Sequence, residues 1–313
     1  MILLTGTTGF IGRALHARLV AEGLGVRAAV RQHIDEFPGE QVVVKPIGPD
    51  TSWEQALVSI DTVVHLAAHV HVMHANTEDD RNYRDVNVLG TARLAESAAA
   101  VGVRRFIFLS TVKVHGERTH GQAFSEQNPL RPQDAYARSK VEAEYELKRI
   151  GQVSGMEVVI IRPPLVYGAG VKANFMQLLK CVRRQIPFPL GAIHNVKSLI
   201  YLDNLVDALM TCIKHPLAAN EAFLVSDGKD LSTTELVRLI GQAMGIRAKI
   251  LSVPLPLLRF GGHLLRKDAL VNRVVDSLQI NSSHIRERLL WTPPHSVEEG
   301  IKTTVRWYME QDQ

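Results

Sequence analysis

The chain has 313 residues, of which 46% are hydrophobic and 22% are charged, and its formal net charge is +4 at pH 7. Such a chain is long enough for a large core, and it predicts a globular protein of one compact unit or two joined domains. The positive excess is small and no long run of basic residues occurs, so nucleic-acid binding is not indicated. Two cysteines, Cys181 and Cys212, and no leader-like segment before the first apolar run predict a cytoplasmic protein with reduced thiols.

Short apolar runs alternate with helical patterns through the first two-thirds of the chain. The predicted strands are Ile2–Thr5, Val26–Val30, Val42–Val44, Asp61–Leu66, Arg105–Ser110 and Val158–Arg162. The predicted helices between them are Ile11–Glu22, Ser52–Ser59, Asp85–Val101 and Tyr136–Ser154. This order implies an α/β fold in which helices cover both faces of a doubly wound parallel sheet.

The pattern becomes looser after Pro163 and Pro164. The elements predicted beyond that point are helices Phe175–Arg184, Leu205–Lys214, Ser232–Gly245 and Ser296–Glu310, and strands Val196–Leu202, Ala222–Val225 and Ala248–Val253. Ser232 or Thr233 is expected to cap the third of these helices, with Glu235 in its first turn. We expect a sheet domain over 1–165, to which segments near 196–226 return, and a smaller interleaved C-terminal domain over 166–195 and 227–313.

A glycine-rich segment follows the first strand and opens the first helix. Glycine at a tight turn lets the backbone approach a pyrophosphate, and the helix N-terminus adds free N–H groups and a partial positive charge. The G-x-x-G-x-x-G spacing differs from the G-x-G-x-x-G fingerprint, and glycines also mark ordinary turns. The strand–turn–helix context nevertheless predicts a dinucleotide-binding loop formed by Gly6, Thr8, Gly9, Phe10, Ile11 and Gly12.

The second predicted strand ends at Arg31, where an acidic residue would bind the ribose 2′-hydroxyl of NAD. Arginine suits a 2′-phosphate instead, so the sequence favours NADP(H) slightly over NAD. Arg13 is a second candidate for the phosphate contact. The alternative is that Arg31 is a solvated strand end.

Tyr136 and Lys140 lie four residues apart on a predicted helix, so the phenol and the ammonium share one face. A nearby ammonium and an oxidised nicotinamide would lower the phenol pKa from about 10, which would let the phenol exchange a proton with a substrate hydroxyl. Ser110 and Thr111 follow a parallel strand at its carboxyl end, where ligands of such sheets bind. Their alternative role is to cap a turn.

Taken together, these motifs resemble the extended short-chain dehydrogenase/reductases, specifically the UDP-glucose 4-epimerase-like, NAD-dependent epimerase/dehydratase group. The motifs are Thr5–Gly12, Val64–Ala68, Asn87–Thr91, Ser110-Thr111, Tyr136–Lys140 and Arg162–Gly168. Ser110–Glu117 resembles a bacterial subgroup of surface-polysaccharide enzymes that epimerise or reduce C4 of UDP-linked hexoses. The resemblance implies a Rossmann-type NAD(P)-binding domain, a C-terminal domain that binds a nucleotide sugar, and a homodimer formed through helices.

The resemblance also implies roles for single residues. Thr111 and Tyr136 would flank the C4 oxygen with Tyr136 as the acid/base, and Lys140 would hold the nicotinamide ribose. The implied cofactor contacts are Gly6, Thr8, Gly9, Phe10, Ile11, Gly12, Arg31, Leu66, Ala67, Ala68, Asn87, Tyr136, Lys140 and Pro163. The implied substrate contacts are Thr111, Lys113, Asn174 and Lys197, and no metal is implied.

Three positions depart from the family pattern. His115 replaces the usual tyrosine before Gly116, and Pro46 stands about where an aspartate often contacts adenine. Lys197 stands where the family places a phosphate-binding arginine, whose bidentate fork lysine lacks.

Epimerisation and reduction at C4 both stay open, because Arg31 favours a reductase that draws on NADPH whereas the group is named for epimerases. A 4,6-dehydratase is disfavoured, since Val112 and Lys113 stand where those enzymes carry an Asp-Glu pair. Two further candidates are an NADP-dependent ketone reductase of flavonoid or steroid type and an epimerase of a polyprenyl-diphosphate-linked sugar. A non-enzymatic NADP sensor is disfavoured because Thr111, Tyr136 and Lys140 are all present.

A histidine cluster contains His65, His69, His71 and His74, but no acidic or cysteine partner has metal-site spacing. We therefore expect these histidines to form a loop wall or polar surface. Glu142, Glu144 and Glu146 are interpreted as a solvated helix face. Phe260–Lys267 is interpreted as a helix of the substrate domain, with weak contact to a membrane surface as the alternative.

Overall fold

A computed structural model describes residues 1–35, 37–70, 77–264 and 268–311. Within these ranges the nine strands are β1 Ile2–Thr5, β2 Val26–Val30, β3 Glu40–Val43, β4 Thr62–His65, β5 Arg105–Leu109, β6 Glu157–Arg162, β7 Leu165–Tyr167, β8 Leu199–Tyr201 and β9 Ala222–Leu224. Seven of them form one sheet in the order β3-β2-β1-β4-β5-β6-β9, and β7 pairs with β8 in a second, small sheet. Every pairing between these strands is parallel, which confirms the predicted doubly wound α/β fold.

Helices connect these strands. The α-helices are α1 Phe10–Ala21, α2 Thr77–Asn82, α3 Gly90–Ala100, α4 Ala135–Ser154, α5 Ala173–Arg183, α6 Leu202–Lys214, α7 Thr233–Ala243, α8 Leu255–Leu264, α9 Asp268–Val275, α10 Ser283–Leu289 and α11 Val297–Glu310. A π-helix spans Tyr83–Leu89, and short 3₁₀ turns span Val112–Val114 and Pro216–Ala218. The predicted cap of α7 is Ser232, which forms a capping box with Glu235.

The strand order reverses at β1, which lies between β2 and β4. Successive residues of β1 contribute to different apolar clusters, with Ile2 and Leu4 in one and Leu3 in the other, so both faces of the sheet are covered. A third cluster lies outside the sheet and includes Phe175 of α5, Val237 of α7 and Ile301 of α11. Ligands of open parallel sheets bind at the carboxyl ends of the strands where the order reverses, so β1 and β4 position the site.

Two predicted elements are wrong. Ser52–Ser59 forms turns rather than a helix. Its apolar residues Trp53 and Leu57 are buried as a helical pattern would bury them, but Ser59 at φ +61° ends the segment after a single helical turn. Ala248–Val253 contributes only an isolated bridge between Ile250 and Phe188.

The division into domains at 165/166 and 226/227 stays a prediction. Within the described ranges, no helix combines the length and the apolar character that crossing a bilayer requires.

Candidate active site

The glycine loop between β1 and α1 leaves no room for side chains. Gly6 has φ +73°, and a Cβ placed on it would lie 2.7 Å from the backbone nitrogen of Ala67. A Cβ on Gly12 would lie 2.0 Å from the carbonyl oxygen of Gly6. Gly9 caps α1, and the first turn of that helix carries no acidic residue. The loop therefore presents backbone N–H groups and a partial positive charge without a competing carboxylate, which suits a phosphate group.

The segment after β4 lies directly against this loop. Thr5 of β1 is in register with His65 of β4, and the Ala67 N–H donates a hydrogen bond to the Thr5 hydroxyl at 3.2 Å. Leu66, Ala67 and Ala68 are partly buried. The structure thus brings two of the predicted cofactor segments together at the point where the strand order reverses.

His65 is a core residue, and its interpretation as loop wall or polar surface is wrong. Its ring nitrogens form hydrogen bonds with the hydroxyls of Thr5 at 2.7 Å and Thr91 at 3.0 Å. Burial, assisted by the charge of Lys140, lowers the pKa of His65 to about 3, so the ring is neutral. A neutral histidine with both nitrogens occupied ties β1 and β4 to α3.

Asn87 fastens the loop after β4 to the helix that carries Tyr136. Its side-chain oxygen accepts the His69 N–H at 2.8 Å, and its amide donates to the His69 carbonyl at 3.0 Å and to the Ser139 hydroxyl at 3.0 Å. Ser139 in turn donates to the Tyr136 carbonyl at 2.8 Å. Asn87 lies in the π-helix, whose altered residue spacing is often found at functional sites.

Tyr136 and Lys140 lie in the first two turns of α4, next to the carboxyl end of β5. Lys140 is buried, its ammonium donates to the Leu109 carbonyl at 2.8 Å, and it lies 4.3 Å from the centroid of the Phe108 ring. The same ammonium is 5.9 Å from the centroid of the Tyr136 ring. The Tyr83 ring packs edge-on against Tyr136 with a centroid distance of 6.2 Å. The predicted pair therefore shares one face of one helix.

Burial dominates the electrostatics of this pair. Burial, together with the charge of Asp134, raises the pKa of Tyr136 above its ordinary value. Burial lowers the pKa of Lys140 to about 7, although the Glu144 carboxylate opposes that change. The protein groups alone therefore keep the proton on the phenol, because desolvation and the nearby Asp134 carboxylate both disfavour the phenolate. The expected lowering of the phenol pKa includes the charge of an oxidised nicotinamide and stays a prediction.

Thr111 and Lys113 lie between β5 and α4, and both serve local structure. The Thr111 hydroxyl accepts the Lys113 N–H at 3.3 Å and caps the 3₁₀ turn Val112–Val114. The Lys113 ammonium lies 2.8 Å from the carboxylate of Asp134, which caps α4, and 3.1 Å from that of Glu117. A substrate contact by Lys113 stays a prediction.

The remaining predicted contacts lie on separate segments. Arg31 is exposed directly after β2, and Pro163 is buried after β6, where its carbonyl accepts the Val112 N–H at 2.9 Å. Asn174 is exposed in the first turn of α5. Lys197 precedes β8 and pairs with Leu231 through two backbone hydrogen bonds of 2.9 and 3.0 Å; its burial lowers the pKa of its ammonium.

A buried ion pair behind the site was missed. Glu144, interpreted as part of a solvated face, has a side chain only 1% exposed that bonds Arg162, itself 3% exposed, at 2.5 Å. Glu144 also accepts the Ser110 hydroxyl at 2.5 Å, and Arg162 donates to His115 at 3.0 Å. The helical spacing could have predicted the burial of Glu144, because Glu144 is one turn beyond Lys140 on the same helix face. Glu142, on another face, is exposed.

His115, one of the departures from the family pattern, is a buried member of this network. Burial, and then the charge of Arg162, lowers the pKa of His115 to about 4, against the opposing effect of Glu144. His71 and His74 lie outside the described residues. Among the residues that are described, no group of three histidine, cysteine, aspartate or glutamate side chains is arranged to hold a metal ion.

Comparison with known proteins gives consistent matches along the chain. The model of the NAD dependent epimerase/dehydratase family matches residues 2–226. The UDP-glucose 4-epimerase of Vibrio cholerae is 43% identical over 99% of this chain and 95% of its own length. The N-acetyl-alpha-D-glucosaminyl-diphospho-ditrans,octacis-undecaprenol 4-epimerase of Escherichia coli O157:H7 is 30% identical over 84% of this chain and 78% of its own.

Solved structures of more distant proteins share the fold. MoeE5 in complex with UDP-glucose and NAD is 24% identical, with a TM-score of 0.79 over 100% of this chain and 99% of its own. The UDP-glucuronic acid 4-epimerase from Bacillus cereus in complex with NAD is 19% identical, with a TM-score of 0.80 over 100% of this chain and 99% of its own. These likenesses extend the agreement in fold to the C-terminal part of the chain.

Proposed function

The chain belongs to the NAD dependent epimerase/dehydratase family, and from this premise we propose that it epimerises C4 of a UDP-linked hexose. The observation that carries the proposal is the 43% identity, over almost the whole chain, to a UDP-glucose 4-epimerase. The retained Tyr136 and Lys140, side by side on α4, supply the acid/base group that such a reaction needs.

The glycine loop fits the pyrophosphate of NAD(P). The closeness of Gly6 to Ala67 leaves a cradle in which backbone N–H groups, rather than side chains, meet the ligand. We propose that the loop from Gly6 to Gly12 and the segment Leu66–Ala68 line the cofactor channel. Bound there, a nicotinamide dinucleotide supplies hydride exchange at C4 and, when oxidised, a positive charge.

We propose that the Tyr136 hydroxyl exchanges a proton with the sugar C4 hydroxyl and that Thr111 hydrogen-bonds the same oxygen. Lys140 holds the ribose and places its ammonium near the phenol. Because burial raises the pKa of Tyr136, the phenol holds its proton until a further positive charge lies close to it. Asn87 fixes the distance between the loop after β4 and Tyr136 through Ser139.

The choice between NAD and NADP depends on Arg31. Its position directly after β2 and its exposed side chain support the predicted slight preference for a 2′-phosphate. Titration of the protein with NADH and NADPH, for wild type and for Arg31→Ala, tests this preference. A selective loss of NADPH affinity in the variant supports it, and equal NADH and NADPH affinities in the wild type contradict it.

The function is tested by incubating the purified protein with UDP-glucose or UDP-N-acetylglucosamine and NAD⁺ or NADP⁺, and separately with their 4-keto derivatives and NADH or NADPH. We expect C4 epimers to form from the UDP-hexoses without net reduction of the added cofactor. Net oxidation of NADPH with a 4-keto sugar, and no epimer, would instead establish the reductase. In Tyr136→Phe, cofactor binding should persist while turnover falls by at least about 100-fold.

The second candidate substrate is a polyprenyl-diphosphate-linked sugar. It is favoured by the relative whose named substrate is an undecaprenyl-diphosphate sugar and which is 30% identical over 84% of the chain. The same sugar presented on UDP and on a short polyprenyl diphosphate distinguishes the two carriers. A turnover at least tenfold higher on the lipid carrier would establish the second candidate.

We also propose that the chain forms a homodimer through α3 and α4. A cleft of about 530 Å³ separates residues of the π-helix and α3, including Val88 and Ala92, from residues of α4 such as the exposed Tyr145. Light scattering of wild type and Tyr145→Glu tests this interface.

A cytoplasmic location and the substrate-binding roles of Asn174 and Lys197 also remain proposals.

A further inference from the structure

Two stretches of the C-terminal part of the chain carry only positive formal charges. Residues 168–202 and 236–264 contain no aspartate or glutamate. They contain nine basic residues, which are Lys172, Lys180, Arg183, Arg184, Lys197, Arg238, Arg247, Lys249 and Arg259. This is a local concentration of charge, because the whole chain has a net charge of only +4.

Backbone hydrogen bonds hold the two stretches against each other. The Phe188 N–H donates to the Lys249 carbonyl and the Leu251 N–H donates to the Phe188 carbonyl, both at 2.8 Å. The Gly191 N–H donates to the Leu251 carbonyl at 2.9 Å. The exposed, basic end of α5 precedes this pairing in the chain, and α8 follows it. Segments 188–191 and 249–251 therefore lie side by side, which brings Lys249 close to the end of α5 that carries Arg183 and Arg184.

Large apolar side chains are exposed in the same region. Ile186, Leu251, Leu257, Phe260 and Leu264 are between 43% and 73% exposed. Leu257, Phe260 and Leu264 are separated by three and four residues, so they share one face of α8. Leu258 packs against the core cluster that lies outside the main sheet, so α8 is apolar on its covered side and on its exposed side. Single exposed apolar residues are ordinary, but five on linked segments indicate an interaction site.

We propose that these five residues and the exposed basic side chains of Lys180, Arg183, Arg184, Lys249 and Arg259, here called the basic apolar face, bind the surface of an anionic phospholipid bilayer. The apolar side chains of α8 lie at the boundary between headgroups and acyl chains, and the basic residues contact phosphate groups. Lys180, Arg183 and Arg184 also line a cleft of about 410 Å³ with Tyr308, which is large enough for a phosphate-bearing headgroup.

The positive charge of the basic apolar face favours a bilayer over a second copy of the chain as the partner that covers this face. In a twofold dimer the same surface meets itself, so the basic residues of one copy would face those of the other without carboxylates from either stretch. An anionic bilayer complements the charge and accepts the apolar side chains at once. The proposal goes beyond the proposed reaction and does not depend on whether the sugar is carried by UDP or by a lipid.

The test is sedimentation of the full-length protein, without substrate, with vesicles of phosphatidylcholine containing about one quarter phosphatidylglycerol, compared with vesicles of phosphatidylcholine alone. We expect binding to the anionic vesicles that weakens with added salt. Leu257→Ser/Phe260→Ser/Leu264→Ser and Lys180→Glu/Arg184→Glu should each lower the apparent affinity by at least about tenfold.

Matched controls lie on α4, away from the basic apolar face. Val153→Ser removes a side chain that is 83% exposed, and Lys148→Glu reverses one exposed charge; both should bind vesicles like the wild type. All variants should turn over UDP-hexose at the wild-type rate, so loss of vesicle binding is read separately from loss of the reaction. The proposal would be overturned if the wild type stayed in the supernatant or if the variants of the basic apolar face bound vesicles normally. It would also be overturned if the mass of those variants in light scattering dropped to half, because the face would then be a dimer interface.

Discussion

The buried Lys140 ammonium makes stability depend on pH in a way that can be isolated by one substitution. Burial lowers the pKa of Lys140 from 10.5 to about 7, and its side chain is almost fully enclosed. Between those two values the native protein binds fewer protons than the unfolded chain, so the free energy of unfolding rises with pH. Below the native pKa both states are protonated, and the contribution no longer changes.

The magnitude follows from the two pKa values. Raising the pH from about 7 to about 9 adds about 2 kcal/mol to the free energy of unfolding through this one group. Lys140→Met keeps the chain length of the side chain but has no titrating group. The wild type should therefore gain about 2 kcal/mol relative to Lys140→Met over that interval. At about pH 7 the variant should be no less stable than the wild type. Removing the ammonium costs about 1–3 kcal/mol through the lost bond to the Leu109 carbonyl, but it also removes the larger free-energy cost of burying that charge.

The assay is urea unfolding of both proteins at the two pH values, without added cofactor, followed by circular dichroism. If the difference between the two proteins does not change with pH, the ammonium is not desolvated as described. The turnover of Lys140→Met should be strongly reduced in either case, since a role in holding the ribose does not depend on stability.

Three further substitutions test the site. Glu144→Gln should destabilise the protein by about 3–5 kcal/mol in urea unfolding because it leaves a buried arginine unpaired, whereas Glu142→Gln should change stability by under about 0.5 kcal/mol; equal effects would contradict the burial of Glu144. Gly6→Ala should abolish NADH binding in fluorescence titration, whereas Gly23→Ala, which has a similar φ of +69° but open space around it, should leave binding unchanged. Asn87→Ala should lower kcat by at least about tenfold and weaken cofactor binding, since the loop after β4 loses its link to α4; wild-type kinetics would show that this link is dispensable.

The sheet and the glycine loop could be predicted from the sequence because local patterns determine them. Parallel strands buried on both faces are continuous apolar runs, and β1 and β2 have the bounds that these runs predict. The turn at Gly6 needs a positive φ, which glycine supplies. The spacing of Tyr136 and Lys140 places them on one helix face whatever surrounds the helix.

Features that depend on tertiary contacts could not be predicted. Glu142 and Glu144 look alike in the sequence, and only the approach of Arg162 from β6 makes Glu144 a buried partner. Sequence reasoning counts nearby charges but not desolvation, which is the largest cause of the raised pKa of Tyr136 and of the lowered pKa of Lys140. The π-helix that carries Asn87 has no periodic signal distinct from that of the helix following it.

The most direct test of the proposed reaction is proton NMR of UDP-glucose or UDP-N-acetylglucosamine incubated with the enzyme in deuterated water. Hydride exchange at C4 requires the C4 epimer to appear with its original hydrogen at C4, while the cofactor remains unconsumed. Deuterium at C4 of the product, or failure of every UDP-hexose to yield an epimer, would contradict the assignment.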